Sequence, residues 1–177
     1  MTPEFPFENN RSLPASDAER ALLLRFPLFF RAVHDPESYC ADIAYWGIRC
    51  GPGWYQIIDE AASKIEVVLQ DLLATFDVRG HLGFLDRRLI GNLELDNDEQ
   101  LPLIPVCSQI KEKFGGLRLH VDRGIFCEDE AWELINKAVE EAERKAGVTC
   151  ESCGQPGKLR KRGWLRVTCA ICERKKT

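Results

Sequence analysis

VTCESCGQPGKLRKRGWLRVTCAICERKK, residues 148–176, holds two Cys-x-x-Cys pairs. Cys150 and Cys153 form the first, Cys169 and Cys172 the second, and fifteen residues separate them. That spacing is the signature of a four-thiolate zinc site of the ribbon type. Each pair makes a tight knuckle that aims two sulfurs at one point, and the hairpin between them brings the knuckles together. Gly154 follows the first pair, where a permissive backbone helps the chain turn. Two disulfides, or four unrelated thiols, are the competing interpretations. The first residues, MTPEFPFENN, lack a basic start followed by an apolar stretch, so no secretory signal is expected. A cytoplasmic address follows, and there thiols stay reduced. Zinc is therefore the expected cofactor. Four thiolates close its coordination shell, which makes the site structural rather than catalytic.

Charge is distributed unevenly around this tail. The chain of 177 residues has a formal charge of −4. From Cys150 onward there are eight basic residues (Lys158, Arg160, Lys161, Arg162, Arg166, Arg174, Lys175, Lys176) and two acidic ones (Glu151, Glu173). The remainder of the chain holds the other 16 of 24 basic and 26 of 28 acidic residues, a formal −10. A basic ribbon on an acidic body either meets an anionic partner or rests on its own body.

Upstream, the pattern predicts an α+β body over residues 16–147, between a flexible N-terminus (1–15) and the ribbon (148–177). Ser16-Asp-Ala-Glu19 has the capping-box form and opens a helix that Pro27 ends. Phe26, Leu28, Phe29 and Phe30 read as core. Residues 34–42 read as loop, and the alternation Ile43, Tyr45, Gly47 suggests a short strand into Ile48. Cys50-Gly-Pro-Gly-Trp54 is a sharp turn into a long helix with apolar positions Ile58, Ala61, Ile65, Leu69, Leu72 and Phe76 at three- and four-residue steps. Glu60, Lys64, Glu66 and Asp71 fall between them as an exposed face. The stretch 78–105 reads as loop with short strands, and its carboxylates Glu94, Asp96, Asp98 and Glu99 as a solvated patch.

The segment 106–121 is ambiguous. Leu117, Leu119 and Val121 alternate as a half-buried strand. Val106, Ile110 and Phe114 sit four residues apart. This favours a strand ending near Ser108, a helical turn capped by Gly115, and a second strand, with Phe114 buried. A hairpin turning at Gly115-Gly116 is the alternative. A second long helix begins near Glu128-Asp-Glu130 and buries Ile135, Ala138, Val139, Ala142 and Ala146 before Gly147 stops it. The expected architecture is two main helices packed on a small sheet, with a C-terminal zinc ribbon.

No catalytic constellation stands out. His34, His81 and His120 are scattered. Cys107 and His120 flank the Gly-Gly pair, but a small buried thiol and a strand-face imidazole account for them. Cys40, Cys50, Cys107 and Cys127 could form a second zinc site, but their irregular spacings favour unrelated thiols. Lys111, Lys113 and Arg118 gather around the turn as a candidate contact patch. They would extend a partner surface made by Lys158, Arg160, Lys161, Arg162 and Trp164 on the ribbon.

Several phrases occur together: Arg25-Phe-Pro-Leu-Phe29, Cys50-Gly-Pro-Gly-Trp54, Gln109-Ile-Lys-Glu-Lys-Phe-Gly-Gly-Leu-Arg118, and the paired cysteines with Gly163-Trp164. Over residues 24–172 the sequence resembles an uncharacterised family of small bacterial and bacteriophage proteins with a KEKFGGLR phrase and a zinc-binding tail. Related tails can close the second pair with histidine, where this chain has Cys172. The resemblance transfers no activity. It implies a phage or prophage setting in the bacterial cytoplasm and a protein partner in the host, with inhibition of a host defence or enzyme as the specific expectation. Nucleic-acid binding by the ribbon is the alternative.

Overall fold

A computed structural model of the protein describes residues 15–36, 38–39, 41–76, 102–161 and 163–175. Helix α1 (Asp17–Arg25) starts where the sequence places it: the Ser16 hydroxyl accepts the Glu19 N–H at 3.2 Å. The helix buries Leu22 and Leu23, and Phe26, Phe29 and Phe30 continue the core beyond it. A short helix α2 (Arg31–His34) follows. The expected strand at 43–47 is instead a helical turn, α3 (Asp42–Trp46), and only Ile48–Arg49 form strand β1. Alternation over so few residues does not separate a strand from one helical turn. Here Ile43 and Ala44 are both buried, and Gly47, at φ 62°, ends the turn.

A single 3-10 turn, Pro52–Trp54, leads into helix α4 (Tyr55–Phe76), which places Ile58, Ala61, Ile65 and Leu69 in the core. Glu66 departs from the expected exposed face, because it is buried. Its two carboxylate oxygens accept the N–H groups of Leu28 (3.1 Å) and Phe29 (2.8 Å). The turn before α2 leaves those donors without helical partners, and the Glu66 carboxylate supplies the acceptor they need. Burial pushes the Glu66 pKa up, and the two N–H groups oppose that rise.

The segment 106–122 is a hairpin. Strand β2 (Val106–Lys113) pairs antiparallel with β3 (Gly116–Asp122) and parallel with β1, in the order β1-β2-β3. The expected helical turn is absent, and the reversal lies one residue earlier than the Gly-Gly pair. Phe114 (φ 55°) and Gly115 (φ 80°) form the two-residue loop, since Lys113 pairs with Gly116. Two consecutive positive φ values are the primed turn that matches strand twist. Phe114 is therefore 68% exposed at the tip rather than in the core. A bulge between Cys107 and Gln109 shifts the parity that made Val106, Ile110 and Phe114 look equivalent.

Helix α5 (Asp129–Ala146) buries Ile135, Ala138, Ala142 and Ala146, with Val139 half-buried, and packs on α4 and β3. Lys145 bridges to α4 through Glu60 (2.8 Å) and also pairs with Glu141 of its own helix (3.1 Å). Strands β4 (Lys158–Arg160) and β5 (Arg166–Thr168) form the ribbon hairpin, and helix α6 (Ala170–Arg174) closes it. The α+β class, with two main helices on a small sheet, holds. The carboxylates Glu94, Asp96, Asp98 and Glu99, with His81 and Cys40, lie outside the described residues. No helix among the described residues is long and apolar enough to cross a membrane.

Three substitutions test this account. Glu66→Ala strands two N–H donors, one of them buried, and is expected to cost about 2–4 kcal/mol in chemical denaturation. Glu60→Ala, at an exposed surface pair, should cost less than about 1 kcal/mol. Phe114→Asn should stabilise the protein by about 1 kcal/mol, because asparagine tolerates the left-handed backbone that a bulky aromatic residue resists. A destabilised Phe114→Asn variant would contradict the turn assignment.

Candidate metal centre

Helix α5 ends at Gly147, and three residues later the chain reaches the first knuckle. The Cys150 N–H donates to Gln155 O at 2.7 Å and the Gly154 N–H to Cys150 O at 2.9 Å, with Gly154 at φ 75°. The second knuckle is built differently. Cys169 is the N-cap of α6, and its Sγ accepts the Cys172 N–H at 3.4 Å. Val167, between the knuckles, is fully buried, and its carbonyl accepts the Glu151 N–H at 3.0 Å.

These turns bring the four Sγ atoms of Cys150, Cys153, Cys169 and Cys172 within 4.8 Å of one another, the one such group among the described residues. Cys153 Sγ and Cys169 Sγ are 3.7 Å apart. Four sulfurs held about 2.3 Å from a central ion sit about 3.8 Å apart at tetrahedral corners. A disulfide would need about 2.05 Å. The cluster is thus dimensioned for one metal ion. Cys150 is buried, Cys169 and Cys172 half-buried, and Cys153 exposed. Among themselves the thiols share charge unevenly. The Cys172 N–H holds Cys169 down to about 6, whereas the thiols of Cys153 and Cys169 push Cys172 up to about 12. A bound dication would displace the remaining protons, so metal binding couples to pH.

The knuckle rests on the body at the Cys50-Gly-Pro-Gly-Trp54 turn. The Gly53 N–H donates to Glu151 O at 2.8 Å, and the Gly51 N–H to the Glu151 carboxylate at 3.0 Å. The Trp54 indole, fully buried, donates to Thr149 O at 2.8 Å. Both glycines are required by contact. A Cβ on Gly51 would lie 2.4 Å from Glu151 O, and one on Gly53 2.3 Å from Cys150 O. Read alone, this turn is a helix entry. The structure makes it the seat of the metal knuckle as well. The sequence signal was present in two glycines flanking a proline beside a tryptophan, a pattern that permits close backbone approach.

A second attachment lies at the β2–β3 tip. Gly115 abuts Leu159 and the Leu165–Arg166 backbone, and Glu112 accepts both the Gly115 N–H (2.6 Å) and the Trp164 indole N–H (3.3 Å). Of the candidate contact residues on the ribbon, Lys158 and Lys161 are exposed and Trp164 is 68% exposed. Arg160 is half-buried and pairs with Glu173 at 2.9 Å, while Arg162 lies outside the described residues. Lys111, Lys113 and Arg118 line an open groove of about 540 Å³ on the outer face of the hairpin. Cys107 is buried on the inner side, and His120 lies on the exposed outer side, so they do not form a reactive pair. Burial raises the Cys50 and Cys107 thiol pKa values.

Compared with known protein families, curated proteins and solved structures, the chain matches none.

The seat predicts a long-range effect. Gly53→Ala, about a hundred residues from the ligands, should weaken metal binding at least about tenfold in a chelator competition, because the new methyl meets backbone rather than a flexible side chain. Removing the metal should in turn shift the Trp54 indole N–H resonance. Unchanged affinity in Gly53→Ala would show that the knuckle holds its shape without the seat.

Proposed function

We propose that the chain is a non-enzymatic zinc protein of phage or prophage type that acts by contact with a protein partner in the bacterial host. Its zinc ion is bound by Cys150, Cys153, Cys169 and Cys172. What supports zinc is the all-sulfur donor set at tetrahedral corner spacing. Four protein ligands leave no open position for substrate or an activated water. The ion then has a mechanical role: it locks together two knuckles, one of which is seated on the body.

The observation that carries the contact reading is Trp164. It is 68% exposed, yet Glu112 of the body holds its indole N–H. Tryptophan is over-represented among residues that dominate protein interfaces. Here it is held at the join between ribbon and hairpin tip, with Lys158 and Lys161 exposed on the ribbon and Phe114 exposed on the tip. A side chain already positioned loses less freedom on binding. The resemblance to phage and bacterial proteins supports a host protein as the partner, and inhibition of a defence system or other host enzyme as the outcome. The eight cations of the tail support the alternative, a ribbon that binds nucleic acid.

A pull-down from bacterial lysate, with nuclease treatment in parallel, separates the two. The partner should survive nuclease and be lost with Trp164→Ala or the double change Lys158→Glu, Lys161→Glu, while zinc stays at about one per chain. Binding that vanishes with nuclease selects the alternative. Binding unaffected by all three substitutions rejects this surface.

A further inference from the structure

The outer face of the β1-β2-β3 sheet carries a second feature, independent of the ribbon. Arg49 on β1 is in register with Lys111 on β2, and Lys111 with Arg118 on β3. Their inward neighbours Ile48, Ile110, Leu117 and Leu119 are buried, so the three cations form one row across all three strands on the opposite side. Adjacent strands lie about 4.8 Å apart, and like charges directly opposite each other destabilise a sheet. Only Arg118 has a carboxylate near it among the described residues, Glu143 of α5 at 3.6 Å. Lys113 extends the row toward the tip, and His120 shares the groove. The carboxylates of the groove are at its other end, where Gln109 binds Asp42 and Ser108 binds Asp122. A chain rich in acidic residues has thus collected cations on one face.

Exposed aromatic rings flank the row. The Arg49 guanidinium lies 5.7 Å from the centre of the Trp46 ring, which is 50% exposed. At the hairpin tip the Lys113 ammonium lies 5.6 Å from the Phe114 ring. Phe114 occupies a left-handed turn position that asparagine or glycine would fill with less strain, and its ring is 68% exposed. Its place in the turn therefore has no explanation in core packing, and strained positions of this kind gather where a ligand binds.

We propose that this sheet face binds single-stranded nucleic acid: phosphates lie on the Arg49, Lys111 and Arg118 row and on Lys113, and bases stack on Phe114 and Trp46. Cations beside exposed aromatic rings are the chemistry of sequence-tolerant single-strand binding. An acidic polypeptide would satisfy the charges but gain nothing from two exposed rings beside the row.

The test uses the full zinc-loaded chain and a fluorescein-labelled oligothymidine of twelve nucleotides, read by anisotropy at several salt concentrations. Binding should weaken with salt with a logarithmic slope of about −2 to −3, as three or four phosphate contacts imply. Lys111→Glu with Lys113→Glu should weaken it at least about tenfold. Phe114→Asn should weaken it at least about fivefold while raising thermal stability, a combination that a merely structural role does not give. Lys158→Glu with Lys161→Glu on the ribbon should leave it unchanged. The proposal is overturned by absent binding at low salt, by equal affinity for a duplex of the same length, or by equal competition from polyglutamate. It also fails if the ribbon variant, rather than the sheet variant, abolishes binding.

Discussion

The fold depends on a backbone-to-backbone contact between residues a hundred positions apart. Gly51 and Gly53 bring one turn of the body against the peptide groups of Cys150–Gly154, close enough that no β-carbon fits between. Three donors of the turn, the Gly51 and Gly53 N–H groups and the Trp54 indole, point at Glu151 and Thr149. A ribbon of under thirty residues has little core of its own. In this chain it borrows one: Val167 joins the main hydrophobic cluster, and the knuckle covers Trp54. A metal ion on the four thiols would therefore stabilise the same few residues that body packing does.

That dependence explains what was legible in the sequence. The cysteine spacing picks out the four thiols that the fold brings within 4.8 Å of one another, because four thiols at such intervals have few other uses. The two long helices are equally plain, since their apolar stripes run for four turns or more. Short elements were not. Residues 43–47 carry the same apolar positions whether they alternate or wind once. The hairpin 106–122 was obscured by its bulge, which breaks the two-residue period where it was needed. Phe114 misled for another reason: an aromatic side chain suggests core, and nothing local says that its backbone sits at positive φ.

Glu66 and the glycine seat were hidden by a different cause. Each serves a partner far along the chain, Leu28–Phe29 for one and Glu151 for the other. A helical charge pattern cannot reveal that a distant turn needs an acceptor. Glu19 is a related case. Its place matches a capping box, but its buried carboxylate also accepts the Ile48 N–H at 2.9 Å, where β1 begins. Buried carboxylates satisfying loose backbone donors recur in this body and compensate for short, irregular elements that cannot pair all their own peptide groups.

The separation of seat and knuckle also orders events while the chain is being made. The Gly51–Trp54 turn leaves the ribosome about a hundred residues before its covering knuckle, an interval on the order of 5–20 s. During that time the Trp54 indole and the amides around it have only water or a chaperone for company. Cys172 follows Trp54 by more than a hundred residues, so gathering of the four thiols and cover of Trp54 both wait for the same late segment to emerge. A ribosome that stops before the ribbon releases a chain lacking both the four thiols and the cover of Trp54.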